Sequence, residues 1–238
     1  MRLTVLGCNG PYPAAGGATS GYLVEAEGAL FAMDLGTGTL AALTAFTDPA
    51  ALDAVVLSHW HYDHCCDLLP LIYRLGATGR RLTVYGPEDA AQPVWQACAA
   101  SPDIDLRPYA PGDSLRVGSC LIRTAPARHP VKAAMLRVEA EGKALVYTGD
   151  TNTAEALPDF ARDADLFLAD GPLTEAGWAE GKPHLSGRLA AEYANQAGVK
   201  KLVLTHLIPA VDPVTLLKEA RAVRPETELA LRGRVYTL

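Results

Sequence analysis

The chain has few of the features that mark secreted, membrane and nucleic-acid-coating proteins. Its five cysteines are an odd number without regular spacing, which is typical of reduced thiols in a cytoplasmic protein. No apolar run reaches the roughly 18 residues that a membrane helix needs. Basic residues number 21 and acidic residues 27, for a net charge of −6. This balance disfavours a surface that coats nucleic acid or an anionic membrane.

Several sequence patterns are also missing. The first residues lack the charged-then-apolar pattern of a secretory signal, so we expect a cytoplasmic protein. There is no internal repeat, low-complexity segment or linker, and we therefore predict a single domain over residues 1–238. Residues 35–38 are glycine-rich after a predicted strand, but no Gly-x-Gly-x-x-Gly follows, so we predict no dinucleotide site.

Alternating apolar segments and chain breakers predict the order of the elements. The predicted strands cover residues 3–6, 22–26, 29–34, 54–57, 81–85, parts of 104–125, 133–139, 143–148, 165–169, 201–205 and 228–231. The predicted helices cover residues 39–46, about 63–75, 88–100, 154–162, 187–197 and 213–223. Pro87 is expected to begin one helix and Ser186 to cap another. Both halves of the chain show strands followed by a helix, which is compatible with two stacked sheets between helices.

The most informative stretch is residues 55–69, where a short apolar strand runs into a cluster of histidines. Four side chains that can bind metal fall within six residues: His59, His61, Asp63 and His64. His59 and His61 are two positions apart, so extended backbone points both the same way. A lone histidine beside a strand is usually a hydrogen-bonded core or surface residue. Clustered imidazoles repel one another once protonated, and we therefore predict a site for Zn²⁺, Mn²⁺ or Fe²⁺.

The remaining polar candidates lie near the ends of other strands. The chain has six histidines, and His129 and His206 follow predicted strands, as Asp150 does. Ligand sites in layered α/β folds gather beyond the carboxyl ends of strands. We therefore expect His129, Asp150 and His206 to join the cluster. Seven ligands suffice for two metal ions if Asp150 bridges them, and water between two such ions loses a proton near neutral pH.

Taken together, these motifs resemble those of the metallo-β-lactamase-fold hydrolases. The resemblance rests on His59-x-His61-x-Asp63-His64, His129, Asp150 in Thr-Gly-Asp-Thr, and His206 in Leu-Thr-His. It implies a four-layer αββα sandwich and two divalent metal ions, of which Zn²⁺ is expected first. The first metal would be held by His59, His61 and His129, the second by Asp63, His64 and His206, and Asp150 would bind both.

Within this superfamily, the chain looks most like the ribonuclease Z and phosphodiesterase branch. Three features support this resemblance: the loop at 7–21 ending in Thr19-Ser20, the motif Tyr-Thr-Gly-Asp-Thr, and His184-Leu-Ser186. By this resemblance, His184 protonates the leaving oxygen. An acidic residue orients that histidine in the family, and Asp170 holds the corresponding place, where the family more often has Glu. Asp63 is expected to relay the proton of the attacking water, and Thr19 or Ser20 to line the phosphate pocket.

One departure from the ribonuclease Z pattern is large. Ribonuclease Z enzymes carry a long transfer-RNA-binding arm between the positions of His129 and Asp150, which here are only 21 positions apart. We therefore expect a phosphodiesterase acting on small or cyclic phosphodiesters, without transfer RNA as a partner.

Three alternatives stay open. They are a lactonase or thioesterase type of acyl hydrolase, a ribonuclease Z-like RNA 3′-end nuclease, and a non-enzymatic metal-binding subunit. Relatives are often homodimers, although no stripe in the sequence marks an interface. Cys65 and Cys66, beside the metal cluster, are expected to serve in helix packing.

Overall fold

The computed structural model describes residues 1–26 and 28–238. Within them the strands are β1 (Arg2–Gly7), β2 (Gly21–Ala26), β3 (Ala29–Leu35), β4 (Ala54–Val56), β5 (Leu82–Pro87), β6 (Ile104–Tyr109), β7 (Ser114–Val117), β8 (Cys120–Pro126), β9 (Ala134–Ala140), β10 (Lys143–Tyr147), β11 (Leu166–Asp170), β12 (Leu202–Thr205), β13 (Glu228–Leu229) and β14 (Val235–Thr237). The helices are α1 (Thr39–Leu43), α2 (Tyr62–Cys65), α3 (Leu68–Gly76), α4 (Pro93–Ala100), α5 (Leu157–Phe160), α6 (Gly187–Gln196) and α7 (Pro213–Val223), with a 3₁₀ helix at Pro49–Ala51. Glu27, in the predicted β2–β3 turn, lies outside the described residues.

The described strands form two mixed sheets of seven strands each. The first has the order β14-β1-β2-β3-β4-β5-β6 and the second the order β13-β12-β11-β10-β9-β8-β7. In each sheet a set of antiparallel strands continues into a parallel set, β3 to β6 in the first and β10 to β13 in the second. The two halves of the chain therefore repeat one arrangement, as the sequence pattern predicted.

Side-chain alternation along the strands builds the layers. In β3, Phe31 and Met33 face the second sheet and join Leu136 and Leu168 in the core between the sheets. Ala32 and neighbouring apolar residues face the other way and pack under α1, α3 and α4. The outer face of the second sheet packs in the same way against α5, α6 and α7. Because successive strand residues point to opposite faces, one apolar strand can serve two cores. The four-layer αββα prediction is confirmed.

Several predicted element boundaries were wrong, and two helices show the largest differences. The helix expected over 88–100 begins only at Pro93, because Pro87 is the last residue of β5 and pairs with Tyr109 of β6. The helix expected over 63–75 is divided into α2 and α3. At the division, Asp67 Oδ2 accepts the backbone N–H of Leu40 at 2.8 Å, which attaches the corner to α1. Strand β14 was not predicted. None of the described helices has both the length and the hydropathy that crossing a membrane requires.

The predicted cap of α6 is confirmed, and its stability contribution can be measured. Ser186 Oγ accepts the backbone N–H of Leu189 at 3.1 Å, and Ser186 is buried. Ser186→Ala leaves that N–H without a partner, so we expect the free energy of unfolding to fall by about 1 kcal/mol. Urea unfolding followed by circular dichroism measures this loss. The exposed Ser114→Ala is the control and is expected to stay within about 0.5 kcal/mol of wild type; equal losses in both variants would contradict the cap's contribution.

Candidate metal centre

Four candidate ligands lie at the corner between β4 and α2: His59, His61, Asp63 and His64. The backbone N–H of Ser58 donates to Asp34 Oδ1 at 2.7 Å, which fixes the turn after β4. His61 is extended (φ −64°, ψ 146°) and immediately precedes α2. Asp63 and His64 then fall in the single turn of α2. The corner therefore turns two extended imidazoles and two helical side chains toward one volume.

The first ligand group consists of His59, His61, His129 and Asp150, whose ligand atoms all lie within 4.8 Å of one another. His61 Nδ1 is 3.1 Å from His59 Nε2 and 3.1 Å from His129 Nε2. His129 reaches the corner from the loop after β8, where its Nδ1 lies 3.3 Å from the carbonyl of Pro183. Three imidazole nitrogens at such spacing, with one carboxylate, are a donor set suited to zinc.

The second group consists of Asp63, His64, Asp150 and His206, within the same distance limit. Asp63 Oδ2 is 3.1 Å from His206 Nε2, and His64 Nε2 is 3.2 Å from Asp150 Oδ1. His206 directly follows β12 and has a left-handed φ of 58°. A Cβ on Gly10 would lie 2.0 Å from His206 Nε2, so only glycine allows the β1–β2 loop this close. Asp150 belongs to both groups and also to a third, with Asp170, His184 and His206; its role as a bridging ligand stays a prediction.

Buried polar atoms without a hydrogen-bond partner indicate whether these residues could hold a cation. Among the described residues, the buried side-chain atoms without a hydrogen-bond partner include His64 Nε2 and Asp150 Oδ1. Buried polar atoms are rarely left unpaired, because losing their hydration is costly. These two atoms face each other across 3.2 Å inside a cluster of donors. A divalent cation would satisfy both of them, so the residues fit a metal pair.

The pKa shifts of His59 and His129 agree with metal binding, whereas those of His64 and Asp150 favour the charged forms of these two neighbours. Burial lowers the pKa of His129 to about 4 and that of His59 well below its ordinary value. These imidazoles are therefore neutral at pH 7, the form that binds metal. Burial alone would lower the pKa of His64, but the carboxylates around it raise it well above its ordinary value. Burial alone would raise the pKa of Asp150, but the neighbouring imidazoles, His206 first, bring it well below.

Sequence reasoning missed Asp34, a fully buried carboxylate beneath the cluster. Its Oδ2 lies 2.8 Å from His64 Nδ1 and accepts the hydroxyls of Ser58 at 2.8 Å and Tyr147 at 2.7 Å. Such a carboxylate fixes the ring orientation and tautomer of a ligand histidine. The available signal was an aspartate inside the apolar run of β3, which the strand prediction treated as the strand's polar end.

Asp170 lies within reach of His184 in spite of its short side chain. Asp170 Oδ2 is 3.0 Å from His184 Nδ1 and also accepts the backbone N–H of Thr151 at 2.9 Å. Burial alone would lower the pKa of His184, but Asp170 raises it to about 9. His184 Nδ1 is 4.0 Å from Asp150 Oδ2, so this pair borders the second ligand group.

Thr19 and Ser20 lie beneath the corner and are fully buried. The backbone N–H of Ser20 donates to the carbonyl of Asp63 at 3.1 Å, and that of Thr19 donates to the carbonyl of Thr37 at 2.9 Å. These contacts attach the β1–β2 loop to the ligand-bearing helix; a contact of either hydroxyl with substrate stays a prediction. Cys65 is buried in the apolar core beneath α2, as expected for a packing residue.

Comparisons with known proteins agree with this geometry. A family model for the β-lactamase superfamily domain matches residues 19–207. The chain therefore belongs to the β-lactamase superfamily, and its two-sheet architecture is the metallo-β-lactamase fold. Its relatives place it among the metallo-hydrolases of that superfamily.

Three relatives illustrate the match. The protein "Probable metallo-hydrolase YhfI" of Bacillus subtilis is 34% identical, covering 99% of this chain and 99% of that protein. The crystal structure of YhfI has a TM-score of 0.93 at 30% identity, covering 99% of this chain and 98% of its own. Ribonuclease Z of Methanosarcina mazei is 27% identical and covers 87% of both chains. The human short-form tRNase Z shares the fold at a TM-score of 0.82 and 20% identity, over 100% of this chain and 99% of its own.

The shared position of Asp150 predicts a specific metal stoichiometry. Protein loaded with Zn²⁺ and dialysed is expected to hold about two equivalents per chain. Asp150→Ala removes a ligand from both groups and is expected to retain less than one, as measured by inductively coupled plasma mass spectrometry. Asp165→Ala, which removes a carboxylate paired with Lys143 and Lys200, should keep the wild-type content. Zinc content that does not change in Asp150→Ala would contradict the assignment.

We expect a substitution of Asp34 to change metal affinity, although Asp34 belongs to neither ligand group. Asp34→Asn replaces an acceptor of four hydrogen bonds by a group that also donates, so His64 loses its orientation. We expect zinc affinity to fall about 10–100-fold, measured by competition with a chromophoric chelator. Asp53→Asn is the matched control, because Asp53 is exposed and accepts the backbone N–H of Leu30 at 2.8 Å. Equal affinities for both variants would show that Asp34 does not support the site.

Proposed function

We propose that this protein is a metal-dependent phosphodiesterase that hydrolyses small or cyclic phosphodiesters in the cytoplasm. The observation that carries the proposal is the pair of His184 and Asp170, 3.0 Å apart, at the border of two ligand groups that share Asp150. An acid poised beside a dinuclear centre suits an ester whose leaving oxygen must be protonated.

Seven residues would hold the metal pair: His59, His61, Asp63, His64, His129, Asp150 and His206. Their nitrogen and oxygen atoms suit Zn²⁺ first, and Mn²⁺ or Fe²⁺ as alternatives. When bound, two such cations neutralise charge on the phosphoryl oxygens and lower the pKa of water at the site.

His184 is the proposed general acid. Its Nδ1 faces Asp170, so Nε2, the other ring nitrogen, is available to the leaving group. The ring is partly exposed, at 14% of the side chain, whereas Asp170 is fully buried. The charge of Asp170 raises the pKa of His184 to about 9, so Asp170 favours the protonated imidazole and holds it in a fixed orientation. A sugar or alkyl oxygen leaves poorly as an anion, and protonation by His184 removes that cost.

Asp63 is the proposed acceptor of the proton from the attacking water. Its Oδ2 lies 3.1 Å from His206 Nε2 and 3.5 Å from His64 Nε2, on the second ligand group. A carboxylate has two oxygens, so one can contact a cation while the other takes a proton. His184 would then act as the acid on one side of the site and Asp63 as the base on the other.

The preference for small substrates rests on the segment between His129 and Asp150. The structure describes every residue of this segment, and it contains the antiparallel pair β9 and β10 joined by a short turn. A ribonuclease Z arm would have to leave the fold here. The net charge of −6 also weakens contact with a long polyanion. The ribonuclease Z relatives keep RNA 3′-end cleavage as the second candidate, and an acyl hydrolase is the third.

His184 provides the sharpest test of the chemistry. With Zn²⁺ or Mn²⁺, wild type is expected to hydrolyse bis-p-nitrophenyl phosphate and a 2′,3′-cyclic nucleotide. His184→Ala is expected to lower kcat for the cyclic nucleotide about 10²–10⁴-fold and to keep its zinc content. The loss on the nitrophenyl ester should be smaller, because nitrophenolate leaves without a proton.

Parallel substrates separate the alternatives. A lactone, a thioester, nitrocefin and a transfer-RNA precursor are assayed with the same metal-loaded protein. Absence of phosphodiester turnover with either metal, or an unchanged rate in His184→Ala, would refute the proposal. Faster turnover of the acyl substrates would favour the acyl hydrolase, and a protein inactive on every substrate would favour a metal-binding subunit.

A further inference from the structure

Asn152 is a buried amide, 1% exposed, that stands two residues after the shared ligand Asp150. Its Nδ2 lies 3.1, 3.3 and 2.5 Å from the backbone carbonyls of Ala179, Glu180 and Lys182. Its Oδ1 accepts the indole N–H of Trp178 at 3.1 Å. One side chain therefore holds residues 178–182, the segment immediately before Pro183 and His184.

The segment that Asn152 holds is long and otherwise irregular. Between Asp170 and α6 the chain has no helix, and its isolated bridge joins Leu173 to Ser186 at the two ends. Near its middle, Glu180 also forms an ion pair with Arg128, and these two side chains are 79% and 49% exposed. Exposed ion pairs contribute little to stability. At the end of the segment, the carbonyl of Pro183 lies 3.3 Å from His129 Nδ1. The buried amide of Asn152 is therefore the attachment that joins residues 178–182 to the turn after Asp150.

The residue before Asn152 attaches two further parts of the site. The backbone N–H of Thr151 donates to Asp170 Oδ2 at 2.9 Å, and Thr151 Oγ1 accepts the backbone N–H of Arg128 at 2.9 Å. The backbone N–H of Asn152 in turn donates to the carbonyl of Arg128 at 3.0 Å. The three residues 150–152 therefore fix a metal ligand, the partner of His184 and the loop that carries His129.

From this arrangement we propose that Asn152 is the positioning residue for the general acid His184. It holds the 178–182 segment against the turn that carries Asp150, so that His184 keeps a fixed distance from the ligand groups. The inference rests on the proposed phosphodiesterase function and adds a residue that contacts neither metal nor substrate. Misplacing a reacting group by about 1 Å costs up to about 10²-fold in rate.

The chemistry of the contact explains why an amide is needed here. The carbonyls of Ala179, Glu180 and Lys182 require a donor, while the Trp178 indole requires an acceptor. A carboxylate would face three carbonyl oxygens with a negative charge, and an alanine would remove the partner of all of these partly buried groups. Asn152→Asp keeps the shape and the acceptor and removes the donors, so it isolates the donor function.

The kinetic test compares leaving groups. In metal-loaded protein, Asn152→Ala and Asn152→Asp are expected to lower kcat for the 2′,3′-cyclic nucleotide about 10²-fold, with KM and zinc content near wild type. The loss on bis-p-nitrophenyl phosphate should be several-fold smaller, as for His184→Ala. Asn195→Ala is the matched control, because Asn195 donates to the carbonyl of Val223 at 3.2 Å from the far end of α6. A loss of equal size on both esters would overturn the inference.

A double-variant cycle shows whether Asn152 acts through His184. Once His184 is absent, positioning it has no value, so Asn152→Ala/His184→Ala should be no slower than His184→Ala alone. If the two losses multiply instead, Asn152 acts independently of His184 and the inference is refuted.

Fluorescence separates this inference from the proposed function. Trp178 loses its buried acceptor in Asn152→Ala, so its emission, isolated by subtracting the Trp178→Phe spectrum, should shift to longer wavelength. A protein without phosphodiester turnover would refute the proposed function, and a shift in that protein would still support the attachment of the segment. An unchanged Trp178 emission in Asn152→Ala would refute the attachment itself, with or without activity.

Discussion

The carboxylate of Asp150 is almost fully buried and faces imidazoles from separate parts of the chain, and the rest of the site depends on this contact. Its oxygens lie 3.2 Å from His64, 3.3 Å from His206 and 3.8 Å from His59. Burying charge costs several kcal/mol per ion unless partners compensate it. The unpaired atoms at this point show that the protein groups alone do not complete the compensation. A cation pair would complete this compensation. Metal binding would therefore also stabilise the loops that carry the ligands.

The two stacked sheets bring the residues of the site together. β4 and its corner belong to the first sheet, whereas Asp150 and His206 follow β10 and β12 of the second. The groups meet because the ends of these strands lie at one edge of the sandwich. A hydrogen bond from Tyr147 to Asp34 crosses between the sheets directly beneath the cluster, at 2.7 Å. The register between the sheets is therefore tied to the position of the ligands, and a slip of either sheet would separate them.

The sequence predicted well what depends on local pattern and poorly what depends on packing. The histidine spacing at the corner and the positions after strands placed the ligand groups, because strand ends and helix starts are local properties. Asp34 and Asn152 were missed, since one resembles an ordinary strand end and the other an ordinary loop residue. Their importance comes from partners more than 20 positions away. Pro87 was misassigned because proline occurs both before helices and at strand ends, and β5 supplied a pairing partner that the sequence does not show.

The candidate ligands differ in exposure, and this difference separates a buried part of the site from an open part formed by loops. His61 and His129 of the first group are half-buried and His184 is partly exposed, whereas His59, His64 and His206 are buried. The proposed substrate would therefore reach the site from the side where His129 and His184 lie, with ring centroids 5.9 Å apart. The buried ligands set the charge of the centre and are fixed by both sheets. The open side is formed by loops, and these loops are held by Thr151 and Asn152. Under the proposed function, changes in these loops would alter which leaving group is accepted, while His64 and the β4–α2 corner keep their contacts with Asp34.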